Sequence, residues 1–483
     1  MKLKEILKDL DIKKMTADPE LEIGSVTYDS RKAVPGSLFV AVKGFVTDGN
    51  LYIGKALENG AVAVVTEVEP QEDIPYVLVP SDRLAMAMIG ANFYGRPAES
   101  MTIIGITGTN GKTTSTLLLK HVLEQTRGAK VGLMGTMDNM IGQESVPAQR
   151  TTPESLDLQA MFGKMRDAGC TYAIMEVSSH AIALDRVAGV RFGLAAFTNL
   201  TEDHLDFHKT MENYCDAKGT LFARSDKHVA NMDDPWFGRI CSHTDKEVLG
   251  TSVNSTQGLH AVDRQLLSDG IRFTAVYGDK KVPVELPIPG KFTVYNALTV
   301  LGCAMQLGIS LEEAAQALRS ATGVKGRVEV VPTPGKDYTV LIDYAHTPDG
   351  LENVLSSVRG FCKGRLISVF GCGGDRDPIK RPIMGRIGVE LSDIAIITSD
   401  NPRTEEPMAI IADILKGVEG LDKTYQVIEN RPAAIRQAMD IAQKDDIIVL
   451  AGKGHETYQE ICGVKHHLDE REVVAQHLEE TRR

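Results

Sequence analysis

The segment Met101-Thr-Ile-Ile-Gly-Ile-Thr-Gly-Thr-Asn-Gly-Lys-Thr-Thr114 joins an apolar, β-branched run to a loop with two glycines. The run predicts a buried strand, and residues 116–124 predict the helix that follows the loop. At a strand-to-helix junction, glycines let backbone N–H groups approach phosphate oxygens, and the helix dipole favours an anion. Lys112 would neutralise the β- and γ-phosphates of a nucleotide, and the Thr113 hydroxyl would ligate Mg²⁺. The segment therefore predicts a phosphate-binding loop on a parallel sheet.

The loop departs from the usual eight-residue phosphate-binding pattern, because Ile106 stands where that pattern has its first glycine. The alternative is a tight turn between a strand and a helix, in which Lys112 is merely solvated. The Gly-Lys-Thr sequence falls at the junction itself, and this position favours the phosphate-binding interpretation.

The rest of the chain predicts an α/β protein of three domains. Residues 1–97 alternate short apolar runs with a helical stretch and predict a small N-terminal α/β domain. Residues 98–327 add strands that are apolar throughout, which is typical of a parallel sheet covered on both faces, and predict a central domain that binds ATP at its phosphate-binding loop. Residues 328–483 predict a Rossmann-like open sheet, because four strand-like runs are each followed by a polar turn: 339–343, 366–370, 394–398 and 447–451.

In an open parallel sheet, ligands bind beyond the carboxyl ends of the strands. The four turns of the last block should therefore share one edge of the sheet. They form a candidate ligand site: 344–349, 371–377, 399–404 and 452–456.

Composition excludes several classes of protein. The 483 residues are 43% hydrophobic and 24% charged, as in ordinary globular proteins, so wholesale disorder is excluded. The net charge of −12 disfavours a general binder of nucleic acid or of an anionic membrane. Seven cysteines without a CxxC pair indicate a reducing compartment rather than a disulfide framework or a zinc ribbon. With neither a signal-peptide pattern nor a membrane-length apolar run, we expect a cytoplasmic protein.

Carboxylates and histidines follow two strands of the central block. Glu176 ends one strand, and a metal ligand is its favoured role because a phosphate-binding loop shares the sheet; a cap for the next helix is the alternative. The run from Asn199 to His208 holds two histidines and three acidic residues, which suits a metal site or a solvated start of a helix. Lys218 lies on an amphipathic helix, and its residue type alone predicts a surface lysine.

Eight motifs occur along the chain in the order found in Mur ligases: Tyr28-Asp-Ser-Arg31, Thr107–Thr114, Arg150-Thr-Thr-Pro153, Glu176-Val-Ser-Ser-His180, Glu202-Asp-His-Leu-Asp206, Ala217-Lys-Gly-Thr-Leu-Phe222, Asp343-Tyr-Ala-His-Thr-Pro348 and Asp400-Asn-Pro-Arg403. The chain resembles this family from about residue 28 to residue 456. The resemblance implies an ATP-dependent ligase that forms an amide bond in bacterial cell-wall (peptidoglycan) synthesis, with UDP-N-acetylmuramoyl-L-alanyl-D-glutamate as one substrate.

The resemblance also implies roles for individual residues. ATP would be bound by Gly108, Thr109, Asn110, Gly111, Lys112, Thr113, Thr114, Ser115, Asn296, Arg327 and Asp343. One Mg²⁺ would be held by Thr113 and Glu176, and a second by His204 and a carbamylated Lys218; Lys112, Glu176, His204 and Lys218 would be catalytic. The muramoyl-dipeptide would be held by Ser30, Thr151, Thr152, Ser178 and Arg186, although Arg150 and Leu184 depart from residues common in the family.

The turn at residues 400–403 points to the incoming amino acid. Pro402 fixes its own φ and restricts Asn401, so the turn can hold Arg403 in one direction. An arginine binds a second carboxylate, such as that of meso-diaminopimelate, with two parallel hydrogen bonds and repels the ammonium of lysine. A plain turn with a solvated Arg403 is the alternative. We predict meso-diaminopimelate, contacted by Arg376, Asp400, Asn401, Pro402, Arg403, Gly452 and Glu456.

Other functions remain open at this point. A lysine-adding muramoyl ligase is disfavoured by Arg403, and a folylpolyglutamate synthetase is disfavoured by the Tyr28-Asp-Ser-Arg31 motif. A nucleotide switch that uses the same phosphate-binding loop without ligation is the alternative from another class. We expect a monomer without a nucleic-acid partner.

Overall fold

The computed structural model describes residues 1–44, 47–148, 150–267 and 269–481. The chain divides into two compact units. Residues 1–258 and 299–314 form the first unit, and residues 259–298 and 315–483 form the second.

The first unit begins with a small sheet made of β1 (Lys14–Met15), β2 (Ser25–Thr27), β3 (Ser37–Val40), β4 (Ala61–Thr66) and β5 (Tyr76–Leu78). The strand order is β1-β5-β4-β3-β2, in which β1 is antiparallel to β5 and the other pairs are parallel. The helices are α1 (Leu3–Ile6), α2 (Ile53–Glu58) and α3 (Asp82–Phe93). Ser81 begins α3, because its hydroxyl accepts the Leu84 N–H at 3.2 Å.

A larger sheet of the same unit contains β6 (Thr102–Thr107), β7 (Val131–Met134), β8 (Asp138–Ile141), β9 (Glu144–Pro147), β10 (Tyr172–Glu176), β11 (Leu194–Phe197), β12 (His228–Asn231) and β13 (Val248–Ser252). These strands lie in the order β13-β12-β11-β6-β10-β7-β8-β9 and are parallel from β13 to β7. Buried Ile103, Ile104 and Ile106 show that β6 is covered on both faces. The loop after β6 therefore leaves the sheet near its middle, between β11 and β10.

The helices of this region are α4 (Lys112–Arg127), α5 (Ser155–Asp167), α6 (Ser179–Ala183), α7 (Leu205–His208), α8 (Met211–Ala223) and α9 (Phe237–Cys241). Aromatic side chains from helices and strands, including Phe162, Phe192, Phe197 and Phe222, fill the core against the sheet. Burial of such side chains supplies most of the favourable free energy of folding.

The second unit contains the antiparallel strands β14 (Leu259–Leu267), β15 (Gly270–Tyr277) and β16 (Lys280–Leu286). The helices α10 (Lys291–Gln306) and α11 (Leu311–Leu318) each carry residues of both units.

An open sheet in the second unit is built from β17 (Glu329–Val331), β18 (Thr339–Asp343), β19 (Leu366–Phe370), β20 (Ile394–Ile397), β21 (Thr424–Val427) and β22 (Ile447–Ala451). Its order is β17-β18-β22-β19-β20-β21, and all pairs are parallel except β17 with β18. A hairpin follows, formed by β23 (Tyr458–Ile461) and β24 (Val464–His467). The helices are α12 (Pro348–Arg359), α13 (Lys380–Leu391), α14 (Pro407–Leu415), α15 (Arg431–Ile441) and α16 (Glu470–Glu480).

The α/β class predicted from the sequence is confirmed, and strands predicted at 339–343, 366–370 and 447–451 are observed with those bounds. Within the described ranges, no helix combines the length and the apolar character that a membrane span requires.

Candidate active site

The loop after β6 needs glycine at two positions. Gly108 and Gly111 have φ values of 146° and 83°, in the region that favours glycine. A Cβ atom on Gly108 would lie 1.9 Å from the Thr198 hydroxyl, so a side chain has no room there. Thr198 donates that hydroxyl to the Asn110 carbonyl at 2.6 Å, and the Asn199 amide oxygen accepts the Asn110 N–H at 2.9 Å. The end of β11 therefore fixes the shape of the loop.

The Lys112 ammonium is held over this loop. It donates to the carbonyls of Gly108 and Thr109 at 2.9 and 2.8 Å. The lysine is therefore organised by the loop backbone, as a phosphate-binding lysine requires, rather than extended into solvent.

Lys218 approaches the same loop from α8. It is buried, its ammonium donates to the Gly108 carbonyl at 2.9 Å, and it lies 4.6 Å from the centre of the Tyr214 ring. Burial, and secondarily the charge of Lys112, lower the pKa of Lys218 well below its ordinary value. The surface position expected from residue type alone is wrong, because α8 packs this face into the core.

Glu176 ends β10 beside the first residues of α4. Its carboxylate accepts the Thr113 hydroxyl at 2.9 Å, the Thr136 N–H at 2.9 Å and the Thr136 hydroxyl at 3.0 Å. Glu176 is not the cap of the following helix, because α6 is capped by Ser178, whose hydroxyl accepts the Ala181 N–H. Thr136 has no distinctive sequence pattern and was not among the predicted site residues.

The donor set fits Mg²⁺ at one position. The hydroxyl of Thr113 and the carboxylate of Glu176 are oxygen donors, which Mg²⁺ prefers, and they already face one another. A second position needs a chemical change, because the ammonium of Lys218 has no lone pair to donate. The His204 ring also lies near Tyr214, with 6.1 Å between the ring centres. Among the described residues, no group of three His, Cys, Asp or Glu side chains converges on a point.

Four predicted substrate residues surround the end of β10. Thr152 donates its hydroxyl to the Glu176 carbonyl at 2.8 Å and accepts the Ser178 N–H at 3.1 Å. Arg186 donates to the Thr152 carbonyl at 3.3 Å, and the Thr151 hydroxyl lies 3.1 Å from that of Thr136. These residues therefore form one hydrogen-bonded network with Glu176.

Ser30 lies in the small first sheet region, in a 3₁₀ turn whose first carbonyl accepts the Asn59 amide at 2.8 Å. The neighbouring Tyr28 donates its hydroxyl to Asp157 of α5 at 2.5 Å. The N-terminal motif is thus connected to the central sheet region through α5.

In the second unit, Arg327 and Asp343 lie close together. The Asp343 carboxylate accepts the N–H groups of Val328 and Ala345 at 2.8 and 2.9 Å, and the Arg327 guanidinium lies 5.3 Å from the centre of the Tyr344 ring. Burial raises the pKa of Asp343, and the charge of Arg327 opposes that shift. Asn296 is buried on α10.

Two turns of the open sheet converge as their sequence positions suggested. Asn401 donates its amide to the Glu456 carboxylate at 2.9 Å. Gly452 has a φ of 117°, and a Cβ there would lie 2.5 Å from the Asp400 carboxylate. The close approach of these two turns therefore requires glycine.

Arg403 is fixed by a neighbouring glycine-rich turn. It has a φ of 52°, donates to the Gly374 carbonyl at 2.7 Å and lies 3.5 Å from the Glu460 carboxylate. Arg376 belongs to the same glycine-rich turn and is exposed, and its guanidinium bonds only to the Asp375 carbonyl within the described structure. Arg403 is therefore not simply solvated. Its side chain is about one-fifth exposed and interacts with the Gly374 carbonyl and the Glu460 carboxylate.

Known proteins match the chain over its whole length. The Mur ligase family catalytic domain matches residues 22–93, the Mur ligase middle domain matches 106–304, and the Mur ligase glutamate ligase domain matches 326–454. A UDP-N-acetylmuramoyl-L-alanyl-D-glutamate–2,6-diaminopimelate ligase of Clostridium tetani is 48% identical over 99% of this chain and 100% of its own. The chain belongs to the Mur ligase family.

Two further comparisons agree with this membership. The ligase of the same name from Caldanaerobacter subterraneus is 48% identical over 100% of both chains. A solved structure of a ligase of that name has 31% identity and a TM-score of 0.76, and the match covers 100% of this chain and 99% of that one. The family resemblance, the three-domain α/β class and the class of ATP-dependent amide-bond-forming ligase are thereby confirmed.

One buried residue of this Mur ligase escaped the sequence interpretation. The Lys453 ammonium is fully buried and lies 3.0 Å from the Asn401 amide oxygen and 3.2 Å from the Glu456 carboxylate. It therefore joins the two turns that carry predicted amino-acid contacts. The sequence signal was its place between Gly452 and Gly454, directly after a buried strand.

We expect Lys453→Met to loosen this region of the Mur ligase, because it leaves the mostly buried Glu456 carboxylate without its cation. Hydrogen exchange of the Arg403 and Glu460 amides in the intact protein should accelerate by about a hundredfold or more. The control is Lys465→Met, which removes an exposed lysine 4.1 Å from the Tyr458 ring and should change exchange by about fivefold or less. Equal exchange in the two variants would contradict the prediction.

Proposed function

We propose that this Mur ligase adds meso-2,6-diaminopimelate to the D-glutamate of UDP-N-acetylmuramoyl-L-alanyl-D-glutamate in peptidoglycan precursor synthesis. The observation that carries the proposal is a chain of hydrogen bonds from the loop to the predicted substrate residues: Thr113 bonds to the Glu176 carboxylate, and the Glu176 carbonyl bonds to Thr152. Identity of 48% over the whole length to ligases that carry this name supports it.

ATP is required because a carboxylate does not react with an amine at neutral pH, since its leaving group would be oxide. The D-glutamyl side-chain carboxylate attacks the γ-phosphorus, and the bond to the β–γ bridging oxygen breaks. The products of this step are an acyl phosphate and ADP. The neutral amine of the amino acid then attacks the acyl carbon, the bond from that carbon to the phosphate oxygen breaks, and the proton lost by the amine nitrogen ends on the inorganic phosphate that leaves.

The residues of the first unit supply mainly position and charge. Lys112 and the backbone N–H groups of the loop hold the phosphates in line with the incoming carboxylate. Thr113 and Glu176 would hold one Mg²⁺, with His204 and a carbamylated Lys218 at a second position. Bound Mg²⁺ offsets the negative charge where two anions meet. Thr151, Thr152, Ser178 and Arg186 would orient the dipeptide, and Ser30 the nucleotide end.

The remaining assignments belong to the same proposal. Residues 1–97, 98–327 and 328–483 would bind the uridine nucleotide, ATP and the amino acid, respectively. Further ATP contacts are proposed at Asn296, Arg327 and Asp343. We also propose that the enzyme is a cytoplasmic monomer that uses no nucleic acid.

The choice of amino acid depends on Arg403. Its side chain is about one-fifth exposed, and its guanidinium is held by the Gly374 carbonyl and lies beside the Glu460 carboxylate, so it can meet the far carboxylate of diaminopimelate in a fixed direction. The side-chain ammonium of lysine would meet a like charge there. Asp400, Asn401, Pro402, Gly452 and Glu456 would complete the contacts, and Arg376 would add a second cation.

We expect Arg403→Ala to lower kcat/KM for diaminopimelate by a factor that corresponds to about 2–5 kcal/mol, because a desolvated charge pair is lost. The affinity for ATP should not change. Initial rates with diaminopimelate and with lysine measure the effect, and Arg386→Ala, at an exposed ion pair with Glu390, is the control. Equal catalytic efficiency of the wild type on the two amino acids would instead favour a lysine-adding ligase.

Phosphate release tests the function as a whole. We expect release to require both UDP-N-acetylmuramoyl-L-alanyl-D-glutamate and an amino acid, with diaminopimelate the best among several candidates. Release that continues at the same rate with ATP alone would indicate a nucleotide switch and would exclude the proposed ligation.

A further inference from the structure

Three arginines surround a single carboxylate in the first unit. The Glu154 carboxylate lies 2.8 Å from Arg186, 3.5 Å from Arg83 and 3.7 Å from Arg150. Arg83 belongs to α3, Arg150 precedes Thr151, and Arg186 follows α6. The side chains of Glu154 and Arg186 are about one-tenth exposed, so water screens their charges poorly, whereas the Arg150 side chain is 56% exposed.

Three guanidinium groups share one carboxylate in this cluster, because Arg83, Arg150 and Arg186 all lie against Glu154. Asp82 interacts with Arg83 from the same helix, and Tyr28 donates its hydroxyl to Asp157. The cluster is therefore distinguished by guanidinium groups that converge on one point. Burial lowers the pKa of Arg186, and the charges of Arg150 and Arg83 lower it further, while Glu154 opposes the shift.

Arg186 also carries an unmet hydrogen-bonding group. Its Nε atom is buried, and no acceptor for it is found in the described part of the chain. A buried donor without an acceptor costs free energy, so such groups are rare unless a ligand or water satisfies them. Three guanidinium groups that share one carboxylate, together with an unmet donor, indicate a site for an anion.

We propose that Arg83 and Arg150 join Arg186 in binding the α-carboxylate of the D-glutamyl residue, with Glu154 holding the three guanidinium groups in place. This inference rests on the proposed function. The muramoyl substrate also carries a diphosphate, but the cluster adjoins Thr152, which bonds to both Arg186 and Glu176. The site therefore lies at the peptide end, beside the carboxylate to be activated.

This arrangement would let the cluster select which of two carboxylates reacts. D-Glutamate presents two carboxylates, and only the side-chain carboxylate is to attack the γ-phosphorus. Guanidinium groups that bind the α-carboxylate with paired hydrogen bonds withhold it from the phosphate and leave the other carboxylate as the nucleophile. Arg83 and Arg150 are then residues that determine which carboxylate reacts.

Binding titrations with two ligands test the proposal in the intact protein. The ligands are UDP-N-acetylmuramoyl-L-alanyl-D-glutamate and UDP-N-acetylmuramoyl-L-alanine, which keeps the diphosphate and lacks both glutamyl carboxylates. Arg83→Gln and Arg150→Gln should each raise the Kd of the first ligand by about tenfold and leave the Kd of the second nearly unchanged. Arg150→Lys, which keeps the charge without the paired hydrogen bonds, should lose less.

The control is Arg191→Gln, which removes an exposed arginine paired with Asp226 and should change neither Kd. Unchanged affinity for ATP shows that each variant is folded. Equal losses for both ligands would show that the cluster does not recognise the glutamyl residue and would overturn the assignment of its α-carboxylate. Unchanged Kd values in both arginine variants would overturn the site itself. A wild-type protein that binds neither ligand would contradict the proposed function instead.

Glu154 is tested separately as a positioning residue. Glu154→Gln should raise KM for the muramoyl-dipeptide several-fold and leave KM for ATP unchanged, because the guanidinium groups lose the carboxylate that spaces them. An equal change in both KM values would indicate a general structural role and exclude the specific one.

Discussion

Replacement of Lys112 by alanine is expected to lower kcat/KM for ligation by about a thousandfold or more. The ammonium lies over the loop, bonded to the Gly108 and Thr109 carbonyls, so it is fixed before substrate arrives. Phosphoryl transfer brings a carboxylate close to the γ-phosphate, and these two anions repel each other. A cation that is already fixed in place offsets this repulsion, whereas water molecules would first have to reorient. Alanine leaves the shape of the loop, which Thr198 and Asn199 maintain, and removes only the charge.

Steady-state rates of phosphate release with all three substrates measure this loss. Lys164→Ala is the control, because Lys164 is an exposed lysine on α5 and its removal should leave the rate within about twofold. Near-wild-type turnover of Lys112→Ala would show that the loop is only a tight turn between a strand and a helix.

Lys218→Ala is expected to be nearly inactive and to regain activity when a short carboxylate such as formate is added. The buried amine of Lys218 has a lowered pKa, so it is neutral more often than an exposed lysine and can attack CO₂. The nitrogen forms a bond to carbon and releases a proton, and the product is a carbamate with one negative charge. That group can ligate a cation where the ammonium cannot, and a small carboxylate can take its place in the alanine variant.

Two measurements check carbamylation. Wild-type protein in ¹³C-labelled bicarbonate should show a carbamate carbon resonance that is missing from Lys218→Ala. Lys120→Ala is the matched control, since Lys120 is also buried but is paired with Glu124 at 2.7 Å; carboxylates should not change its activity. Electron density that ends at an unmodified ammonium in a substrate-bound crystal would refute the prediction.

Local sequence was sufficient to predict a strand, a glycine-containing loop and a helix around Lys112. An apolar β-branched run, two glycines, a lysine and a threonine lie within fourteen consecutive residues, and each contributes through its nearest neighbours. The order of strand, loop and helix follows from such patterns, although the helix predicted at 116–124 extends from Lys112 to Arg127. The turns at 400–403 and 452–456 were predicted to lie together for a different reason, because the carboxyl ends of parallel strands lie at one edge of the sheet.

Contacts between segments that are distant along the chain could not be predicted from the sequence. The burial of Lys218 depends on α8 packing against a loop 110 residues earlier, and Lys453 meets Asn401 across 52 residues. Thr136 is an ordinary threonine until β7 and β10 pair and bring it to Glu176. Such residues carry no local signal, because their roles arise only from their neighbours in space.

What the sequence by itself determined was the class of fold, the family and the residue types available for phosphate and carboxylate chemistry. These depend on periodicity, on turn residues and on motifs of a few positions, which are properties of short stretches. Only the tertiary structure decided which charges face one another, as at Glu154, where arginines from three segments meet one carboxylate. The strength of such charges depends on burial and on distances between remote segments, and the folded chain alone sets both.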